Sequence, residues 1–377
     1  MTESTSLTWR QALAWRMRRH HLVERAPRAA LLDVVDDVCG LHAQVMSSAE
    51  LTAWARVDDL GREDVSQALW DERALVKLWA MRGTLHLLAA RSLGTWLGAL
   101  GTYEHYLKGA WLRAFGTSRE ELEALVVVVG EALDGKLLTR EALGAEVERL
   151  AGTPGLAEKI QESWGGFLKP ASFRGRLCFA PNDRQRVRFT TPASWLDGGL
   201  DTVEPDEALL EVTRRYLGAF APATREDLAR WWAVGPAPAG RMIAALGDEV
   251  AAVDVEGTGG WMLREHAAEA AAAEPTPVAR LLPGFDMWVI GASRDAAALL
   301  DPAEKKRVYR NQGWISPVLL VNGRMEGVWT HERKGKRLLV SIEPFGKVPK
   351  WARAQAEAEA ERLAAFLGGE LSVDWSG

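Results

Sequence analysis

The pentapeptide Thr-Arg-Glu-Asp-Leu at positions 224–228 has two relatives earlier in the chain, and this repetition decides the predicted fold. Thr-Arg-Glu-Ala-Leu stands at 139–143 and Arg-Glu-Asp-Val at 62–65. The threonine that opens the later two copies is a predicted helix N-cap, because its hydroxyl can accept a hydrogen bond from a free N–H of the first turn. The glutamate two positions on lies where the helix dipole favours an acid. Each copy therefore predicts the start of a helix.

The segments around the three copies repeat as well. A helix is predicted before each copy, at 31–39 together with 49–57, at 119–133 and at 207–217. A further helix is predicted after each copy, at 72–80, 157–170 and 238–246. Strand-forming residues follow, at 83–88, 176–190 and 250–263. Helices followed by a β-hairpin are the layout of a winged helix, a variant of the helix-turn-helix, so the sequence predicts three such modules in tandem.

The last hundred residues have a different pattern. Two hairpins are predicted, with strands at 315–321, 325–331 and 337–342, because Asn322-Gly323 is a strong turn signal and a second turn falls at 333–336. A helix is predicted at 350–367, and the Ala/Glu-rich segment 266–274, followed by Pro275-Thr276-Pro277, is interpreted as a linker. The predicted fold class is therefore α+β and helix-rich, with three tandem winged-helix modules and a C-terminal region rich in β-hairpins. The predicted module boundaries are 1–115, 116–203, 204–274 and 275–377.

Composition excludes several classes of protein. The chain has 377 residues, 47% of them hydrophobic and 26% charged, which is typical of a globular protein with several domains. No apolar run reaches the length of a membrane span and no secretory leader is recognisable, so we expect a cytoplasmic protein with no membrane partner. The two cysteines and seven histidines have no metal-ligand spacing. We therefore expect free buried thiols, no metal and no cofactor.

The net charge of −5 argues against a general nucleic-acid-binding protein, but the charge is unevenly distributed. Residues 301–353 contain twelve Lys or Arg against five Asp or Glu, and residues 169–188 contain six against one. Because phosphate responds to the local field, these segments are candidates for DNA contact, with solvated surface loops as the alternative. The candidate residues, including two beside position 83, are Arg82, Thr84, Arg184, Arg186, Arg324, Arg333, Lys334, Lys336 and Arg337.

His42-Ala43-Gln44 is the main candidate for chemistry. The helix before this triplet buries one face, and Gly40 predicts the break that ends it. If the chain is extended after the break, the histidine and the glutamine lie on one side and face outward, while the alanine points inward. The Ser-x-x-Glu pattern at 47–50 then fits a capping box for the next helix. A neutral imidazole and an amide can both hold a water molecule, although the histidine could instead only hydrogen-bond nearby backbone.

Other polar residues have two interpretations each. His86, in a predicted strand after Arg82, could belong to a site but is more typical of local packing or hydrogen bonding. Asp286 follows Leu-Leu-Pro-Gly-Phe at 281–285 and could be a catalytic carboxylate, a helix cap or a buried anchor. The basic tip at 333–337 could grip phosphates or only increase solubility. The seventeen tryptophans are interpreted as packing residues, with base stacking as the lesser alternative.

The chain resembles the AlkZ-like family of winged-helix DNA glycosylases. The resemblance rests on Gly-Leu-His-Ala-Gln at 40–44, Trp-Ala-Met-Arg-Gly-Thr-Leu-His-Leu at 79–87, the stretch 224–232 and Leu-Leu-Pro-Gly-Phe-Asp at 281–286, which occur in the family's order. In the family, a Gln-apolar-Gln motif positions the attacking water. This chain has His42 in place of the first glutamine and keeps Gln44, as in a subgroup associated with antibiotic producers that protect their own DNA.

The resemblance implies a function and a mode of binding. It implies a C-shaped arrangement of three winged helices around duplex DNA, contacted by a C-terminal hairpin, here 333–337. It also implies hydrolysis of the N-glycosidic bond of N7-alkylated guanine, preferably with a bulky, natural-product-derived substituent, by a monomeric enzyme. No lysine lies close to the triplet in the sequence, so we expect a monofunctional glycosylase without a Schiff-base step. Two alternatives are a non-catalytic winged-helix regulator that senses a drug, and a glycosylase for small N7-alkylpurines.

Overall fold

The helices and strands described here come from a computed structural model, which describes residues 5–163, 165–197 and 199–376. The chain divides into two units: one contains the residues up to Val65 together with those from Thr213 onward, and the other is Ser66–Val212. Both units mix helices and strands, so the predicted α+β class is confirmed. Within the described residues, no helix has the length and apolar character needed to cross a membrane.

The helices, in chain order, are α1 Trp9–Arg19, α2 Leu31–Asp37, α3 Met46–Trp54, α4 Asp64–Trp70, α5 Leu93–Leu100, α6 Gly109–Phe115, α7 Arg119–Leu133, α8 Arg140–Ala151, α9 Leu156–Glu162, α10 Lys169–Phe173, α11 Pro192–Trp195, α12 Pro205–Phe220, α13 Arg225–Trp232, α14 Pro236–Ala245, α15 Arg264–Ala271, α16 Met287–Gly291, α17 Lys305–Val308 and α18 Lys350–Leu367.

The strands are β1 Thr5–Leu7, β2 Leu41–His42, β3 Leu75–Trp79, β4 Leu85–Ala89, β5 Leu138–Thr139, β6 Cys178–Asp183, β7 Arg186–Thr190, β8 Val250–Val255, β9 Thr258–Leu263, β10 Ala279–Leu282, β11 Val318–Val321, β12 Arg324–Lys334, β13 Arg337–Pro344 and β14 Glu370–Trp375.

The first unit contains two sheets. β8 and β9 form an antiparallel hairpin to which β1 adds in parallel. The larger sheet has the order β10-β11-β12-β13-β14, antiparallel except for the last pair. α18 packs against β10 through a stripe of small side chains, Ala352, Ala356 and Ala360, which lets the helix approach the sheet closely. The side chain of Gln355 also accepts a hydrogen bond of 2.7 Å from the backbone N–H of Ala279.

The second unit is built around two hairpins. β3 pairs with β4, and β6 pairs with β7, which also binds β5. Trp79 of β3 lies against Phe179 and Phe189 at ring distances of 4.8 and 6.0 Å. The backbone of Trp79 exchanges two hydrogen bonds with the hydroxyl of Ser172. These contacts join both hairpins to α10 in one core.

The predicted helix starts are confirmed at two of the three copies of the repeat. Thr139 accepts a hydrogen bond from the N–H of Ala142, and Thr224 forms a reciprocal capping box with Asp227. In the first copy, α4 begins at Asp64, inside the repeated tetrapeptide. The Asn322-Gly323 turn between β11 and β12 and the closing helix α18 are also as predicted. Both cysteines are free and buried, as expected.

Three predicted elements are wrong. The helix predicted at 72–80 is replaced by β3, Leu75–Trp79, because this short and mostly buried segment pairs with β4. The linker predicted at 266–277 is wrong for residues 266–271, which belong to α15, in keeping with the high helix propensity of alanine and glutamate, whereas residues 273–278 form neither helix nor strand. The single helix at 157–170 is replaced by α9 and α10, with Gly165 at a φ of 85° between them; residue 164 lies outside the described residues.

Candidate active site

The end of α2 turns the chain sharply into the His-Ala-Gln triplet. The N–H of Cys39 donates to the carbonyl of Asp36 at 3.0 Å, and the N–H of Gly40 donates to that of Val35 at 2.7 Å. These two bonds are those of a Schellman motif, with Cys39 at a φ of 61° in the position that usually holds glycine. Gly40, at a φ of 89°, then leads directly into β2. The break predicted at Gly40 is confirmed.

The triplet has two buried residues and one exposed residue. Only 4% of His42 is exposed, and Ala43 is fully buried. Gln44 is exposed, because β2 ends at His42 and the chain bends before α3 begins. The expectation that both polar side chains face outward is therefore wrong for His42, since the two-residue alternation of a strand does not extend to Gln44. The triplet therefore places a buried imidazole and an exposed amide side by side at the boundary between protein and solvent.

His42 lies in a stack of aromatic rings. Its imidazole is parallel to the ring of Phe285, with centroids 5.0 Å apart and an interplanar angle of 14°. Trp314 contacts the same phenyl ring edge-on, at 5.0 Å and 76°. Phe285 has a φ of 60°, a conformation that is strained for a bulky residue and persists only when its surroundings hold it. The stack fixes the plane of the imidazole.

The loop that carries Phe285 approaches its neighbours closely. A side chain at Gly284 would place its Cβ 2.9 Å from the carbonyl oxygen of Ile315, so only glycine fits there without a shift. The sequence indicated a candidate role in the segment 281–286 for Asp286 but none for Phe285. The proline–glycine pair at 283–284 was the available signal that this loop is tightly constrained.

Asp286 anchors this loop in the protein interior. Its carboxylate accepts two hydrogen bonds of 2.7 Å from the guanidinium of Arg56, and neither side chain is exposed. One carboxylate oxygen also accepts the backbone N–H of Trp288 and thereby caps α16. Arg56 donates a further bond to the carbonyl of Thr52 in α3. Asp286 therefore has both structural roles considered for it, and its partner Arg56 was missed in the sequence.

The predicted capping box at the start of α3 is wrong. The helix begins at Met46, one residue before the expected serine, and its N-cap Val45 has no side chain that could accept a hydrogen bond. Ser47 therefore lies inside the first turn. α3 therefore begins without a side-chain cap.

Three further candidates lie in the β3–β4 hairpin of the second unit. Arg82 occupies the turn with a φ of 60°, and the hydroxyl of Thr84 donates to the carbonyl of Met81 at 3.0 Å. His86 is buried, with its Nδ1 3.0 Å from the carbonyl oxygen of Thr84. This geometry agrees with the local-bonding interpretation of His86. Lys169 lies beside Gly83 in the same turn, and its partial burial lowers the pKa of its ammonium group.

The β12–β13 hairpin brings four basic candidates together. Residues 330–337 are all exposed, and Arg333 pairs with Leu338 in the register that places Lys334 opposite Arg337. The guanidinium of Arg333 donates to the carbonyl of Leu367 at 3.2 Å and to that of Gly335 at 3.4 Å. Lys334 forms an exposed ion pair with Glu332 at 3.0 Å. The tip therefore presents a cluster of solvated cations, as a phosphate-binding surface requires.

The remaining basic candidates have different surroundings. Arg184 lies exposed in the β6–β7 turn with a φ of 57°, and Arg186 pairs with Asp183 across that turn. Arg324 is at the opposite end of β12 from the tip. Its guanidinium binds Glu326 and the carbonyls of Ala297 and Ala298 at 2.8–3.1 Å. Arg324 is therefore held by the protein itself, unlike the tip residues.

The described residues contain no group of three or more His, Cys, Asp or Glu side chains arranged to hold a metal ion. The triplet itself contributes two uncharged polar groups, the imidazole of His42 and the amide of Gln44. Both can exchange hydrogen bonds with water without changing their charge.

Comparisons with known proteins agree across nearly the whole chain. The family model described as DNA glycosylase AlkZ-like matches residues 35–366. An interstrand DNA cross-link repair glycosylase from Streptomyces sahachiroi is 38% identical over 365 residues, which are 96% of this chain and 97% of that protein. The solved structure of the Streptomyces sahachiroi DNA glycosylase AlkZ superposes with a TM-score of 0.89 at 37% identity, covering 98% of this chain and all of that one. The chain therefore belongs to the AlkZ-like family and is a DNA glycosylase.

Proposed function

We propose that this enzyme hydrolyses the bond between N7-alkylated guanine and deoxyribose in duplex DNA, and that His42 and Gln44 hold the attacking water. The observation that carries the proposal is the placement of the triplet: a Schellman turn precedes it, Phe285 fixes the plane of its imidazole, and Gln44 reaches solvent. Family membership supplies the reaction class, and the triplet supplies the groups that act on water.

The chemistry needs little more than a positioned water. Alkylation at N7 gives the purine a positive charge, so the bond from C1′ to N9 is already weakened. As the water oxygen attacks C1′, that bond breaks and its electron pair returns to the purine, which leaves as a neutral base. The proton lost by the water passes to the imidazole of His42, which accepts it when neutral, while the carbonyl of Gln44 orients the second O–H. An abasic site remains.

Preorganisation is the contribution of the surrounding protein. A water-binding group is effective only if its own orientation is fixed before substrate arrives. The stacked ring of Phe285 restricts rotation of the imidazole, and the Arg56–Asp286 ion pair holds the loop that carries Phe285. His42 is therefore supported by a chain of buried contacts.

DNA binding is proposed for the modules that carry hairpins. Helices followed by the hairpins β3–β4, β6–β7 and β8–β9 support three winged-helix modules at 1–115, 116–203 and 204–274, with 275–377 as the C-terminal hairpin region. We propose that the tip residues Arg333, Lys334, Lys336 and Arg337 bind phosphates, together with Arg184 and Arg186 on the β6–β7 turn and Arg82 with Thr84 on the β3–β4 turn. Arg324 is the weakest candidate, because its guanidinium already has three protein acceptors.

A bulky substituent on N7 is the proposed substrate feature. One relative is named as an interstrand DNA cross-link repair glycosylase, and a cross-link joins two strands instead of adding a methyl group to one base. The histidine in place of the first glutamine resembles the subgroup that protects antibiotic producers from their own DNA-alkylating products. We therefore propose repair of bulky, natural-product-derived guanine adducts, with self-resistance as the biological role, by a monomeric cytoplasmic enzyme.

The test is a base-release assay on defined duplexes. One duplex carries N7-methylguanine and another carries a bulky N7-alkylguanine, and released base is separated from DNA with and without mild alkali. We expect release of free base, strand breaks only after alkali, and faster turnover of the bulky substrate. Release from neither duplex by a protein that still binds DNA would refute the proposed substrate. Breaks without alkali would instead show a lyase step and refute the monofunctional mechanism.

A further inference from the structure

Trp314 is the most exposed tryptophan among the described residues, with 51% of its surface accessible. It ends an exposed turn at 310–314, in which Gln312 and Gly313 have φ values of 58° and 76°. The turn is ordered by its own backbone: the N–H of Arg310 donates to the carbonyl of Trp314 at 2.8 Å, and Tyr309 bridges to Ile315. A large apolar side chain is thus held in solvent by a fixed backbone.

The indole is linked to the triplet by aromatic contacts. Trp314 meets Phe285 edge-on at 5.0 Å, and Phe285 stacks on His42 at 5.0 Å. A half-exposed indole leaves apolar surface in water, and covering that surface with a ligand would be favourable. The aromatic contacts therefore connect the proposed water-binding residue His42, through Phe285, to the exposed indole of Trp314.

The chemistry of the turn favours an aromatic ligand attached to a polyanion. Arg310 in the turn and Lys306 in α17 are both exposed, within the basic segment 301–353. Aromatic side chains next to cations are the combination by which proteins bind bases and planar rings on nucleic acids. An undamaged base would have to leave the duplex before it could stack there, at a cost in free energy. A planar group carried on guanine N7 already lies outside the base stack.

We propose that Trp314 is a specificity-determining residue, whose indole stacks on a planar aromatic substituent carried by N7 of the target guanine. The proposal rests on the function proposed above and deepens it, because it names the part of a bulky adduct that the enzyme recognises. N7 and N9, which carries the glycosidic bond, belong to the same imidazole ring of the purine, and their exocyclic bonds diverge on either side of C8. A planar group attached to N7 therefore points away from the attacked C1′ across that five-membered ring, as Trp314 is separated from His42 by the ring of Phe285.

The experiment compares two substituents in otherwise identical duplexes, a methyl group and a naphthylmethyl group on N7 of one guanine. The variants are Trp314→Ala and Trp314→Phe, and Trp351→Ala is the matched control, because Trp351 is also exposed in the same unit but lies on α18. We expect Trp314→Ala to reduce kcat/KM for the naphthylmethyl duplex about ten-fold more than for the methyl duplex, the size typical of one lost stacking contact. Trp314→Phe retains part of the preference, and Trp351→Ala retains all of it.

Equal losses on both duplexes, or no loss on either, would overturn the role of Trp314. If the wild-type protein releases neither base, the proposed reaction is refuted. The recognition of the N7 substituent by Trp314 is then tested separately, by measuring DNA binding. In that measurement, Gln44→Ala protein with and without Trp314→Ala is titrated with both duplexes. A naphthylmethyl preference that does not depend on Trp314 contradicts the proposal, and a preference lost with the indole supports it.

Discussion

The guanidinium of Arg56 and the carboxylate of Asp286 bind each other through two hydrogen bonds of 2.7 Å, with both side chains fully buried. The pair joins the segment after α3 to the loop that carries Phe285, and through Phe285 it determines where the ring of His42 lies. Two charges taken out of water are stable only when each satisfies the other, so a buried pair of this kind tolerates the loss of neither partner.

Replacing Asp286 with asparagine leaves the buried guanidinium without its counter-charge. We expect the free energy of unfolding to fall by about 3–5 kcal/mol, the cost of breaking a buried pair by removing one partner. Urea denaturation followed by circular dichroism measures the change. The matched control is Glu332→Gln, which breaks the exposed pair with Lys334 and is expected to change stability very little. If both variants lose the same stability, Asp286 is not the anchor described here.

Truncating the triplet tests the water-binding roles of His42 and Gln44. We expect His42→Ala and Gln44→Ala each to slow base release by about 10²–10⁴-fold, the range for losing a positioned acid–base group. The double variant is expected to be little slower than the worse single variant, because the two groups act on one water molecule. Single-turnover kinetics at saturating enzyme measure these rates without a contribution from binding.

The control for the triplet is His266→Ala, since His266 belongs to the same unit but lies on α15. Its base-release rate is expected to equal that of the wild type. His42→Gln restores the amide found in the family's Gln-apolar-Gln motif and is expected to retain more activity than His42→Ala. Undiminished rates in both alanine variants would remove the triplet from the active site.

Sequence patterns predicted the elements whose deciding contacts are local. The caps at Thr139 and Thr224 and the turn at Asn322-Gly323 each depend on residues within a few positions. The segment of β3 was predicted to be helical because five residues are too few to establish a period, and its pairing with β4 makes it a strand. Sequence patterns therefore predict an element correctly where contacts between distant residues do not change its local preference.

The candidate site was predictable only in part, for the same reason. The triplet and Asp286 were recognised as polar residues in apolar surroundings, but their partners are distant in the sequence. Nothing in the residues around position 42 indicates that the ring of Phe285 stacks on His42, or that Arg56 neutralises Asp286. Those contacts bury His42. The two-residue alternation of a strand, by contrast, predicted that this side chain faces outward.

The β12–β13 tip is expected to contribute salt-dependent binding without sequence preference. Replacing Arg333 and Lys336 with alanine removes two cations from the exposed tip. If each neutralises one phosphate, the slope of log Kd against log salt concentration falls by about 0.9 for each residue. Fluorescence anisotropy with duplexes of unrelated sequence measures the slope. Lys159→Ala, an exposed lysine on α9, is the control for lost net charge, and an unchanged slope in the tip variant would exclude the hairpin from DNA contact.

His20 is expected to make the stability of the enzyme fall as the pH is lowered. Its ring is fully buried against Phe220 and Trp288. Burial, reinforced by the nearby positive charges of Arg56 and Arg16, holds the pKa of its imidazole well below 6.5. The unfolded chain therefore binds a proton below pH 6.5 that the folded protein does not accept. The stability contributed by the neutral ring is present above that pH and is lost as the pH falls toward the folded pKa.

The slope expected from this one proton is about 1.4 kcal/mol per pH unit below pH 6.5. His20→Gln retains a donor for the carbonyl of Ala219, which lies 3.0 Å from the ring nitrogen, but does not titrate. Urea denaturation at intervals between pH 7 and pH 5 gives the free energy of unfolding of both proteins. We expect the difference between them to narrow on acidification, because only the wild type has this proton to bind on unfolding. A difference that stays constant over the range would mean that His20 titrates equally in the folded and unfolded states.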